Sequence, residues 1–94
     1  MTREQRSRVE PFKPDDVPGY LYRQVADHIE ARIRAGELPH RCRLPGERDL
    51  AVEYGVSVGT IRRATRALRD RGMVATLAAK GSYVTAISRS SGGG

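Results

Sequence analysis

The sequence predicts a mainly α domain with a small β-wing, a winged helix-turn-helix of three helices plus a C-terminal β-hairpin. Three observations predict it. Apolar residues recur at helical steps in successive stretches, each followed by a glycine. Two short extended runs then flank a glycine-containing turn. The net charge of +6 over 94 residues sits in the part of the chain that carries the second and third helices and the hairpin.

The first stretch, "MTREQRSRVEPFKPDDVPG", mixes charges of both signs with prolines, and residues 1–18 read as a flexible N-terminal arm that enters the domain at Gly19. The folded domain is expected over 19–87, and the composition of "SRSSGGG" marks 88–94 as a flexible tail or linker. In "YLYRQVADHIEARIRAG" the residues Leu21, Tyr22, Val25, Ala26, Ile29 and Ile33 recur at steps of three and four, one face of a helix. His28 falls on the polar side of that helix and is expected in solvent, and Gly36 is placed to end the helix in a left-handed conformation.

The segment "ELPHRCRLPG" carries prolines at 39 and 45 and reads as a connector, with a short extended piece around Arg43 and Leu44 and Cys42 as a small filler. A second helix is expected from about Glu47 to Tyr54, with Leu50, Ala51 and Tyr54 inward and Gly55 at its end. Ser57 is an N-cap for a third helix that runs to about Arg71 and closes at Gly72. Met73–Leu77 and Ser82–Ile87 are the extended runs, joined by a turn over Ala78–Gly81 in which Gly81 takes positive φ.

The third helix carries the functional signal. With Arg62 as origin and about 100° per residue, Arg66 falls at about +40°, Arg69 at about −20° and Arg63 at about +100°. Ile61, Leu68 and Ala64 fall at about −100°, −120° and −160°, so arginines and apolar residues take roughly opposed faces. Arg62 and Arg66 are like charges at i,i+4, which costs a few tenths of a kcal/mol unless an anion lies against them. The first turn is small: Ser57, Val58, Gly59, Thr60. Gly59 permits close backbone approach, Ser57 and Thr60 offer hydroxyls, and Val58 offers methyl groups suited to a thymine methyl in a major groove. Helix N–H groups at that end favour phosphate.

"LYRQVADHIEARIRAGEL", "LPGERDLAVEYGVSVGTIRRA" and "GMVATLAAKGSYV" together resemble the N-terminal domain of GntR-type bacterial transcription regulators, over about residues 19–85. The resemblance implies a winged helix that reads operator DNA, with helix 57–71 in the major groove and the wing tip 78–81 near the minor groove. By position it implies DNA contacts from Arg48, from Ser57, Thr60 and Arg62, and from Lys80 and Gly81. Gly46 stands where the family carries serine, a weaker N-cap for the second helix. Ala79 stands where it carries a wing glycine, and Val58 where it carries arginine, so one polar contact is lost and the base preference is expected to differ.

Taken together, Arg62 is expected to be the chief base reader, with Val58 and Gly59 setting fit. Arg48, Arg63, Ser57 and Thr60 are expected on phosphates, Arg66 more weakly, and Lys80 in the minor groove. The expected partner is double-stranded DNA, a palindromic operator on which a monomeric chain pairs as a homodimer. The chain ends soon after the wing, so no effector-binding domain is expected within it. The rival reading is a winged-helix module whose basic face docks an acidic protein.

Other chemistry finds little support. A chain of 94 residues builds a modest core, and no nucleophile–base set, phosphate loop or cofactor fingerprint appears, so neither enzyme activity nor a cofactor is expected. His40 and Cys42 are half a metal site at most, and no metal is expected. A single cysteine excludes an intrachain disulfide and fits a reducing compartment. No apolar run approaches the roughly 20 residues that span a bilayer. A cytoplasmic, nucleoid-associated repressor is the resulting expectation.

Overall fold

Apolar residues at helical spacing bury one face of each helix against the others, and the chain order is α1 (Leu21–Arg34), α2 (Glu47–Tyr54), α3 (Val58–Asp70), β1 (Val74–Leu77) and β2 (Gly81–Val84). This computed structural model describes residues 9–12, 20–77 and 80–86. The rest of the expected arm, the tail 88–94 and the turn residues Ala78 and Ala79 lie outside the described residues. The three helices and the antiparallel hairpin are those the sequence predicts.

The core confirms the periodicity reading. Val25, Ala26, Ile29 and Ile33 of α1 meet Leu50, Ala51 and Tyr54 of α2 and Ile61, Ala64 and Leu68 of α3. Met73, Val74 and Val84 close it from the hairpin, and Leu38 and Leu44 from the connector. Alanines at 26 and 64, both fully buried, let helices come close where a larger side chain would hold them apart. Tyr22, expected on the inward face, is only half-buried.

Helix ends follow the punctuation. Gly36 takes φ 86, and its N–H donates to the Ile33 carbonyl at 3.0 Å while Glu37 N–H reaches the Arg32 carbonyl at 2.9 Å. Ser57 caps α3, its Oγ accepting from Thr60 N–H at 3.0 Å. Gly46 caps α2 without a side-chain bond, and the acidic Glu47 and Asp49 in the first turn favour that helix end electrostatically.

The hairpin is shorter than expected. β2 runs from Gly81, which pairs with Leu77, to Val84, which pairs with Val74. Gly81, with φ 94, is thus the first strand residue rather than a turn residue. Beyond Val84 the chain leaves the ladder, because the N–H groups of Thr85 and Ala86 both turn to the Met73 carbonyl. The connector does contain the expected extended piece: Arg43 bridges Tyr83 in antiparallel fashion.

Two expectations are corrected on the outer side of α1. His28 is half-buried, not solvated, because residues 9–12 fold over it. The Glu10 carbonyl can only accept, so His28 Nε2 donates to it at 2.6 Å, and in the neutral ring Nδ1 accepts from the Tyr54 hydroxyl at 2.8 Å. Phe12 packs edge-on against His28 and Tyr54, with centroids 5.7 and 5.0 Å away. This part of the expected arm is therefore seated on the domain. Arg32 completes the chain of bonds by donating to Tyr54 Oη at 3.1 Å. Burial pushes the Tyr54 phenol up, so it serves this network as a hydroxyl.

Candidate nucleic-acid interface

Because Ile61, Ala64 and Leu68 are fully buried, the residues of α3 between them are turned outward, and Arg62, Arg63, Arg66 and Arg69 are all exposed. The N-terminus of α2 lies beside this face. Arg62 Nε donates to Glu47 Oε1 at 3.1 Å, which joins the middle of α3 to the first turn of α2. Both side chains are largely in solvent, at 67% and 48% exposure, so the pair contributes at most about 1 kcal/mol and yields readily to a stronger anion. Arg48, next on α2, is exposed; among the described residues neither it, Arg66 nor Lys80 has a carboxylate partner.

The first turn of α3 is partly engaged with the protein itself. Ser57 and Thr60 hydroxyl oxygens are 3.0 Å apart, so each hydroxyl satisfies the other in the absence of a ligand. Val58 is half-buried against the core, leaving only part of its methyl surface outward. Gly59 is exposed, and a Cβ there would meet only the Ser57 hydroxyl at 3.8 Å, so close backbone approach from outside is unobstructed.

Arg63 sits differently from Arg62. Its guanidinium lies 4.3 Å above the Tyr22 ring, a cation–π contact that fixes it over the start of α1. Tyr22 also accepts from Arg23 Nε at 3.3 Å. That hydrogen bond and the Arg23 charge, with a smaller contribution from Arg63, hold the Tyr22 phenol below its usual value. The α1 N-terminus thereby presents Arg23, Tyr22 and Arg63 as one cationic cluster. Sequence reasoning missed Tyr22 as part of this surface, because a tyrosine at helical spacing reads first as core.

The wing is tied to α3. Arg69 Nη1 donates to Thr76 Oγ1 at 3.0 Å, and Thr76 is 2.9 Å from Ser82 across the hairpin. Arg69 thus links the outward face of α3 to the hairpin, a contact that its helix angle alone does not reveal. Lys80 is exposed, and Gly81 follows it at the start of β2. Arg48, Ser57, Gly59, Arg62, Arg66, Lys80 and Gly81 are placed on α2, α3 and the wing as exposed or half-exposed positions, while Val58 and Arg63 are partly committed to packing.

Among the described residues no group of three or more His, Cys, Asp or Glu side chains is arranged to hold a metal ion. Cys42 is half-buried, and burial pushes its thiol up, away from the reactive thiolate. No described helix is long and apolar enough to cross a membrane.

The sequence model for "Bacterial regulatory proteins, gntR family" matches residues 21–84. The mannosyl-D-glycerate transport/metabolism system repressor MngR of Escherichia coli K12 is 42% identical over 64 residues, which are 68% of this chain and 27% of that protein. The chain spans under a third of the length of the curated relatives it matches. YtrA from Sulfolobus acidocaldarius, a GntR-family transcription factor, superposes with a TM-score of 0.71 at 29% identity, covering 87% of each chain. The AraR DNA-binding domain, solved in complex with operator ORX1, superposes with a TM-score of 0.69 at 26% identity, covering 84% of this chain and 99% of that one.

Proposed function

This chain belongs to the gntR family of bacterial regulatory proteins, and from that membership we propose that it binds double-stranded DNA sequence-specifically as a transcription regulator, acting as a repressor. The observation that carries the reading is a set of exposed cations without carboxylate partners. Among the described residues Arg48, Arg66 and Lys80 pair with no carboxylate, and Arg62, on the outward face of α3, pairs only with the half-exposed Glu47. The similar AraR DNA-binding domain was solved in complex with an operator, which supports duplex DNA as the partner here. We place α3 in the major groove and the wing near the minor groove.

In this reading Arg62 exchanges Glu47 for the hydrogen-bonding edge of a guanine, which its planar fork matches. Arg48 and Arg66 hold phosphates, and Ser57 and Thr60 turn their hydroxyls from each other to the backbone. Gly59 and the outward part of Val58 set how closely the helix end approaches the base pairs. Arg63, braced on Tyr22, holds a phosphate from a fixed rather than a flexible arm. Lys80 enters the minor groove. The chain pairs on a palindromic site, acts in the cytoplasm at the nucleoid, and carries out no catalysis.

Selection of duplexes from a random pool, followed by titration of the winner across salt, tests this. An enriched inverted repeat with a log K against log[salt] slope of about −4 to −8 is the expected result. Enrichment of nothing, with shallow salt dependence, would overturn it in favour of an acidic protein partner.

A further inference from the structure

The connector between α1 and α2 runs beside β2, which it meets at the isolated antiparallel bridge between Arg43 and Tyr83. Arg41 N–H donates to the Val84 carbonyl at 2.7 Å, Val84 N–H to the Cys42 carbonyl at 2.8 Å, and Leu44 N–H to the Ser82 carbonyl at 2.8 Å. Alternation along this short extended piece decides where each side chain goes. Leu44 is buried and Cys42 packs against the core, so Arg43 between them turns outward.

The Arg43 side chain then runs along the backbone at the start of β2. A Cβ at Gly81 would stand 2.9 Å from Arg43 Nε and 3.2 Å from Nη2, so the Arg43 side chain would have to move aside to admit one. Gly81 therefore serves two ends: it takes φ 94, and it leaves the channel through which the guanidinium passes. The guanidinium comes out beside the wing end that also carries Lys80. Among the described residues no carboxylate pairs with Arg43 or Lys80. Two cations gathered at one end of a hairpin repel each other unless an anion lies between or against them.

We propose that Arg43 is a second DNA-contacting residue of the wing, holding a backbone phosphate at the edge of the minor groove beside Lys80. The inference rests on the DNA-binding reading above and extends it to a residue outside the helix-turn-helix and the hairpin. A guanidinium held close against the Gly81 backbone is pre-positioned, so less side-chain freedom remains to be lost on contact.

The test uses the full chain as wild type, Arg43→Met and Arg43→Lys, titrated across salt against the selected duplex, with thermal unfolding of each. Methionine keeps an apolar stem and removes the guanidinium, with its charge and its N–H donors. Arg43→Met should reduce the magnitude of the salt slope by about 0.9 and weaken binding about three- to tenfold, and Arg43→Lys should restore the slope. The three midpoints of unfolding should agree, and a hydroxyl-radical footprint of Arg43→Met should lose protection at a minor-groove edge. Unchanged slope and footprint in Arg43→Met, on a duplex the wild type binds steeply, would overturn the proposal and leave the operator reading standing. A slope loss that lysine does not restore would overturn it too, because the effect would then be one of shape. A wild-type chain that binds no duplex would overturn both.

Discussion

Two regions of this molecule use arginine in opposite ways. Along the side of α1 that meets α2 and α3, arginines are enclosed by acids: Arg32 lies 3.1 Å from both Glu37 and Glu53 and donates to Tyr54, and Arg71 bonds Asp27 at 2.9 Å and Glu30 at 2.7 Å. Across α2, the outward face of α3 and the wing, Arg48, Arg66 and Lys80 have no acid among the described residues, and Arg62 has one that is half in solvent. The side chains are chemically alike. What differs is whether the chain supplies the anion itself. Arginines supplied with acids hold helices together, whereas those without acids leave positive charge on the surface or, like Arg63 and Arg69, lean on an aromatic ring or a hydroxyl.

The contrast is broken if both sets respond alike to truncation. Arg62→Ala should have the largest effect on function, a loss of about 1–3 kcal/mol of binding free energy on the selected duplex, with specificity relaxed. Its stability should change by less than about 0.5 kcal/mol, since only an exposed pair is lost. Titration against cognate and scrambled duplexes, beside thermal unfolding, checks both halves. Equal loss on the two duplexes would remove Arg62 from its reading role.

Arg32→Ala should show the reverse. Its side chain is 15% exposed, and removing it takes a donor from Tyr54 and the Arg32 cation from Glu37 and Glu53. A destabilisation of about 2 kcal/mol is expected, with DNA affinity of the folded protein unchanged. Urea unfolding measures the first and titration at low temperature the second. A binding defect larger than the stability defect would place Arg32 on the functional surface instead.

Much of this division was legible in the sequence, but unevenly. The faces of α3 follow from spacing alone, because Ile61, Ala64 and Leu68 share an angle that the arginines avoid. Ser57 announces its own capping bond. The Glu30–Arg34 pair is local, at i,i+4, and readable on sight. The sequence does not say which arginine meets which acid across the fold. Arg62 finds Glu47 only because α2 and α3 pack, and Arg63 finds Tyr22 only because α1 starts beside α3. His28 was misplaced for the same reason: its helix angle is polar, yet a segment 18 residues earlier folds over it. Arg43 read as connector because its strand partner, Tyr83, lies far along the chain.

Acid sharpens the comparison from the structural side. Burial alone would raise the Glu30 carboxyl, but hydrogen bonds from Arg34 and Arg71 outweigh it and hold the group below its usual range. A carboxylate whose folded value is depressed contributes stability that is present above its unfolded pKa of about 4.3 and lost as pH falls through the folded value. Stability should therefore decline below about pH 4.5, and Glu30→Gln should flatten that decline while lowering stability at neutral pH. Unfolding midpoints measured from pH 3 to 7 for both proteins decide it, and parallel curves would show that the Arg71 clamp does not rest on Glu30.

Glu47 stands between the two regimes and gives the smallest effect, one with opposite signs in two measurements. It pairs with Arg62 in the free protein, so Glu47→Gln releases that arginine and takes a negative charge away from the approaching phosphates. DNA affinity should rise by a few tenths of a kcal/mol, most clearly at low salt where exposed charges are least screened. Glu47 also opens α2, where Gly46 offers no side-chain cap, and an acid in that turn favours the helix by about 0.3–1 kcal/mol. Stability should fall by a comparable amount. Tighter binding from a less stable protein would mean that Glu47 serves the fold at some expense to contact with DNA. If affinity fell with stability, Glu47 would instead be aiming Arg62 at its base, and the exposed pair would belong with the functional surface.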